Sequence, residues 1–118
     1  MRDKDVLGRR GEQVAAEYLQ QAGMRILDRN WRCAAGELDI VAAERRTLVA
    51  CEVKTRSGTW YGSPLEAVSR AKQMRLRRLA IAWVVAHGVL FDEVRVDVIG
   101  LLADRSGSMT IEHVRGVA

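Results

Sequence analysis

At 118 residues with 48% hydrophobic side chains, the chain is the size of one domain with its own core, and it carries no charge block or low-complexity run long enough for a disordered tail. Nineteen Lys and Arg against fifteen Asp and Glu give a formal charge of +4, which favours acidic partners such as nucleic acid, although a basic surface also simply aids solubility. No apolar run approaches the ~18 residues of a membrane span and none follows the N-terminus as in a signal peptide, so a cytoplasmic protein with no membrane partner is expected.

In chain order, Val14, Ala15, Tyr18, Leu19 and Ala22 share one face of a predicted helix from Arg10 to Ala22, which Gly23 stops. Met24 to Trp31 is mixed but carries Ile26, Leu27 and Trp31, and reads as a short strand, with an irregular segment as the alternative. Gly36 to Ala43 and Thr47 to Thr55 are rich in β-branched and apolar residues, and the short link Glu44-Arg45-Arg46 makes them antiparallel neighbours. A long helical pattern then runs from Pro64 to about Ala86, with Ser63 as N-cap, Pro64 at the first helical position and Gly88 as the stop. Glu93 to Ile99 alternates valines with Arg95 and Asp97 as a strand does, and Thr110 to Val114 is a weaker final strand. The order α-β-β-β-α-β-β predicts an α/β fold, a mixed sheet flanked by helices, in a single domain over residues 1–118.

The two hairpin strands carry unexpected charge. Side chains alternate along a strand, so Val49, Cys51 and Val53 share one face of the second and Glu52 and Lys54 the other. Glu37 and Asp39 likewise fall opposite Leu38 and Ile40. If the charged faces coincide, Asp39, Glu52 and Lys54 converge, and two carboxylates held that close repel unless a cation or proton sits between them. Hard oxygen ligands suit Mg²⁺ or Mn²⁺, and a neighbouring lysine orients a water or stabilises charge on a phosphate. The plainer alternative is an exposed sheet face with ordinary cross-strand ion pairs.

Asp39 followed by Glu52-Val53-Lys54 resembles the restriction-endonuclease-like nuclease superfamily, whose core pattern is an acid and then acid-x-Lys. More closely, GRRGEQVAAEYL at 8–19, NWRCAAGELDIVA at 30–42 and CEVKTR at 51–56 resemble the YraN family of small bacterial proteins, which is similar to Holliday-junction resolvases in its expected fold. The resemblance implies a restriction-endonuclease-like core in which Asp39 and Glu52 ligate a divalent metal, the Val53 carbonyl adds a ligand, Lys54 assists attack and Glu12 completes the site. Leu38 replaces the proline that usually precedes the first acid in the superfamily. Apart from the resemblance, Glu12 also reads as an acid near the start of its helix, favourably placed against the dipole. Glu37 reads as a surface residue or one that supports the ligands.

Among the basic residues, Lys72 projects into the apolar stripe Leu65, Val68, Leu76, Leu79 and Trp83, either reaching the metal site or a phosphate, or snorkelling to water. Arg9, Arg10, Arg32 and Arg56 sit at the entrances and exits of the elements holding the acids, a rim that could grip phosphates. Arg70 and Arg77 are expected on the exposed side of the long helix. Trp60 and Tyr61 are placed to stack on a base or to pack over the hairpin, and Trp31 and Trp83 read as core. His87 and His113 look isolated, and Cys33 and Cys51 form neither a C-x-x-C pair nor a disulfide framework. The leading expectation is a Mg²⁺- or Mn²⁺-dependent nuclease hydrolysing DNA phosphodiesters, branched or repair-intermediate DNA included. Its rivals are a non-catalytic nucleic-acid-binding module of the same fold and a protein-interaction domain. Resolvase-like enzymes act as dimers, and the final strand offers an edge for a homodimer.

Overall fold

The structure, a computed structural model, describes residues 3–58 and 62–118. Trp60 and Tyr61 lie outside the described residues. Helix α1 spans Asp3–Gln21, followed by strands β1 (Arg25–Cys33), β2 (Gly36–Glu44) and β3 (Thr47–Ser57), a 3₁₀ turn at Pro64–Ala67, helix α2 (Arg70–His87), and strands β4 (Glu93–Ala103) and β5 (Met109–Val114). The five strands form one mixed sheet in the order β1-β2-β3-β4-β5. Only β3 and β4 run parallel, and α2 provides the crossover that parallel neighbours require. The expected α/β architecture and element order are thus observed.

Arg45 and Arg46 alone connect β2 to β3, with Glu44 opposite Thr47. A two-residue connection calls for left-handed backbone at its first position to match strand twist, and Arg45 adopts φ 54°. The central strands bury both faces. Ala15, Ala16 and Leu19 of α1 pack on Ile40, Val49, Cys51 and Ile99. Leu76, Leu79, Ala80 and Trp83 of α2 pack on Val41, Leu48, Ala50 and Val96 on the other side. Each leucine so buried contributes about 1.5–3 kcal/mol, which is what clamps the helices to the sheet.

Two details depart from the sequence reading. The long helical pattern is broken: Val68 is extended (φ −120°, ψ 110°) and buried, and α2 restarts behind Ser69, whose Oγ accepts the Lys72 N–H at 3.1 Å. Ser69 rather than Ser63 is therefore the side-chain cap of α2, because Val68 gains more from entering the core than from continuing a helix. Gly88 ends α2 with φ 63°, as expected.

The second departure concerns the pleat of β2. Leu38 packs with Val41 on the α2 side, whereas Ile40 packs on the α1 side, so Leu38 and Ile40 do not share a face. The register runs from Arg29 opposite Ile40 to Trp31 opposite Leu38, which sets Asn30 across from Asp39. Asn30 has φ 52°, a left-handed conformation that asparagine tolerates better than most residues, while the β1–β2 register itself shifts between Ile26 and Asp28. Among the described residues, no helix is long and apolar enough to cross a membrane.

Candidate functional site

The β2–β3 ladder runs from Glu44 opposite Thr47 to Ile40 opposite Cys51 and stops there. Meanwhile β2 stays paired with β1 as far as Gly36, and β3 stays paired with β4 as far as Ser57. The two strands therefore part at Asp39 and Glu52. The Val53 N–H, left without a backbone partner on β2, donates instead to Asp39 Oδ2 at 2.9 Å. A side-chain carboxyl thus replaces a rung of the ladder, satisfying a donor that would otherwise cost free energy when buried.

The parting opens a cleft of about 330 Å³ whose polar lining includes Glu12, Asp39, Glu52, Lys54, Lys72 and Arg75. Glu52 is only 4% exposed, yet two ammonium groups reach its Oε2, Lys72 Nζ at 2.7 Å and Lys54 Nζ at 3.6 Å. Glu52 and Asp39 lie close enough for each to shift the ionisation of the other. Burial, then the Glu52 charge, and more weakly that of Glu12 push the Asp39 pKa up to about 8, with the Val53 N–H acting against them. Burial also works against ionising Glu52, but Lys72, the Asp39 hydrogen bond and Lys54 outweigh it and hold that carboxyl below its usual range. The two carboxyls are thus pushed in opposite directions, Asp39 toward keeping its proton and Glu52 toward losing it.

Glu12 is brought to this cleft by close packing. Gly11 is buried against Thr55, where a side-chain Cβ would collide with the Thr55 hydroxyl, so α1 lies tightly over β3 just where Glu12 turns toward the site. Glu12 also lines an adjoining groove of about 580 Å³, shared with Val53 and Lys54 and extending along Thr55, Arg56 and Ser57. Among the described residues, no three His, Cys, Asp or Glu side chains gather closely enough to hold a metal ion. Two hard carboxyls with space beside them, Asp39 and Glu52, are the type of donor that a divalent ion takes.

The expected basic rim divides. Lys72 reaches the acids and Arg56 lines the adjoining groove, where it also donates to the Thr55 carbonyl at 3.3 Å. Arg10 instead donates to the Gly107 carbonyl in the β4–β5 turn. Arg32 pairs with Glu37 at 2.8 Å on the surface, and Arg9 is exposed near the start of α1. Sequence reasoning missed Arg75, although its place three residues beyond Lys72 was a signal. It also misplaced Arg77, which is half-buried and donates to the Val94 carbonyl at 2.8 Å.

His113 is not isolated either. Its Nε2 lies 2.7 Å from Asp97 Oδ2 and its Nδ1 2.9 Å from the Tyr18 hydroxyl. Arg95 makes two further bonds to Asp97, at 2.9 and 3.0 Å, and one to Glu44 at 2.8 Å, while the Gly116 N–H donates to Asp97 at 3.0 Å. Burial opposes ionisation of Asp97, but these partners together hold its pKa below the usual value. His87 stacks on Trp83 with ring centroids 4.0 Å apart, and the Trp83 indole N–H donates to Asp28 at 2.9 Å.

Comparison with known proteins places this arrangement in a family. Residues 11–101 match the model of the uncharacterised protein family UPF0102. A UPF0102 protein of Arthrobacter sp. (strain FB24) is 56% identical over 117 residues, covering 99% of both chains. Those of Beutenbergia cavernae and Frankia casuarinae are 50% and 53% identical, covering 99% and 98% of each chain. With the acids, the lysine and Gly11 all inside the matched span, the chain belongs to UPF0102, the YraN family.

Proposed function

We propose that the protein is a divalent-metal-dependent nuclease that hydrolyses phosphodiester bonds in DNA, branched or repair-intermediate DNA included. One observation carries the reading: the Asp39 and Glu52 carboxyls meet where β2 leaves β3, with Lys54 beside them in an open cleft. Like charges this close keep a proton only because burial and repulsion forbid two anions, and a divalent cation relieves the same conflict. Bound by Asp39 and Glu52, with the Val53 carbonyl and Glu12 in support, Mg²⁺ or Mn²⁺ would polarise the phosphodiester and acidify a water. Lys54, held on the rigid ladder of β3 with β4, orients the attacking water and offsets charge on the phosphate. Arg56 and Arg75, one along each groove, carry the neighbouring phosphates. Arg9, Arg10 and Arg32 are assigned at most to outlying phosphates, since Arg10 is engaged by the Gly107 carbonyl and Arg32 by Glu37. Free thiols at Cys33 and Cys51 suit the reducing cytoplasm where such a substrate lies, and β5, paired on one side only, offers an edge for a homodimer.

Purified protein incubated with Mn²⁺ or Mg²⁺ and linear, flapped and four-way DNA is expected to cut at least one of them. Asp39→Asn and Glu52→Gln should each lower the rate by at least about 10²-fold. Equal cutting by both variants overturns the assignment. A second reading rests on the Glu52–Lys72 pair, which already neutralises the acid: a DNA-binding module that makes no cut. Salt-sensitive DNA binding that survives EDTA, with no cleavage of any substrate, selects it.

A further inference from the structure

One carboxylate oxygen of Glu52, Oε2, is already taken by ammonium groups. Lys72 Nζ lies 2.7 Å from Oε2, closer than Lys54 at 3.6 Å, although Lys54 is only two residues away on the same strand. A lysine from a separate helix thus makes the tighter contact. Its backbone is fixed, since the Lys72 N–H donates to the Ser69 cap in the first turn of α2. Its side chain is not: 40% of it is exposed against 24% for Lys54, so the four-carbon stem has solvent to swing into. A divalent ion and an ammonium cannot both sit within ligand distance of one oxygen without strong repulsion, and in a partly buried site that repulsion is poorly screened.

We propose that Lys72 is a built-in counter-ion of the acid pair, a positioning residue that holds Glu52 in place in the metal-free protein and yields its place when the divalent cation enters. The inference rests on the nuclease reading above and adds an exchange step to it: the cation displaces an ammonium rather than entering a bare acid pair. Released, Lys72 swings outward along the cleft wall beside Arg75, where it meets the phosphate of an arriving strand. Metal entry and substrate capture are therefore coupled through one side chain. Lys54 stays, because it is the more confined of the two.

The test is Mn²⁺ binding to the full chain, measured by titration calorimetry after chelation, for the wild type, Lys72→Met and Lys72→Arg, with circular dichroism to show that each is folded. Lys72→Met removes the competing charge and keeps the stem, so it should bind Mn²⁺ about tenfold more tightly. Lys72→Arg restores a cation and should return the affinity to within about threefold of the wild type. In EDTA, Lys72→Met should melt below the wild type, and added Mn²⁺ should close that gap. Wild-type binding of Mn²⁺ with equal or weaker affinity in Lys72→Met overturns the exchange and leaves the metal site standing. If Lys72→Met weakens only DNA affinity, the residue is a phosphate contact and the exchange is again overturned. Absence of Mn²⁺ binding in all three folded proteins sinks the exchange together with the metal site.

Discussion

Two carboxylate clusters share the central strands and could hardly be treated more differently. Asp97, on β4 beside Cys51, is fully buried, and Arg95, His113 and the Gly116 N–H bond both its oxygens. Asp39 and Glu52, at the next rung, face each other across parted strands, and only one of them keeps its charge. Burial alone therefore does not decide what becomes of an acid's charge. What distinguishes the two clusters is whether the surroundings settle the charge. The Asp97 cluster is closed, with every demand met inside the fold, whereas the Asp39 pair is left in conflict and open to solvent.

The comparison breaks most sharply under one type of substitution made twice. Asp97→Asn keeps the shape but removes the charge that Arg95 and His113 answer, and should cost about 3–5 kcal/mol in urea unfolding. Asp39→Asn keeps an acceptor for the Val53 N–H and removes a repulsion, so it should cost less than about 1 kcal/mol. Equal losses would show that both clusters are structural. Next in size is Gly11→Ala, which pushes α1 off Thr55 and should cost about 1–3 kcal/mol, while the double variant Gly11→Ala/Thr55→Ala recovers most of it. A penalty that persists in the double variant would mean that Gly11 is not where α1 is held against the strand.

A last contrast is a difference of sign with pH, read from urea midpoints in EDTA. The folded pKa of Asp39 is raised from 3.8 to about 8, so its contribution is fully present below 3.8 and is lost as pH rises toward about 8. The folded pKa of Asp97 is lowered, so its contribution is present above 3.8 and is lost as pH falls through the lower folded value. Asp39→Asn should flatten the decline on the alkaline side and leave the acid side unchanged. A decline that survives the substitution belongs to another group.

Much of this was legible in the chain. Strand alternation exposed Glu52 and Lys54 on one face, and the short Glu44–Thr47 link brought Asp39 across from Glu52. Local signals sufficed there because a hairpin is a local structure. They failed where a distant partner decides. Val68 leaves the helical pattern for a core site built by other strands. His113 acquires meaning only when β5 lies beside β4 and brings it to Asp97, 16 residues away in the chain. Arg77 looks like a solvated helix residue until β4 offers its Val94 carbonyl. Nothing in the spacing of Leu38 and Ile40 announces that they face opposite sides, because the switch shows only where each packs against its own helix.

The switch of face between Leu38 and Ile40 has an engineering corollary. Anyone grafting the two acids onto a regular hairpin at the same sequence separation would aim Leu38 to the wrong side and lose the wedge between the strands. The portable unit is not the pair of acids but the three-stranded patch, misfit rung included.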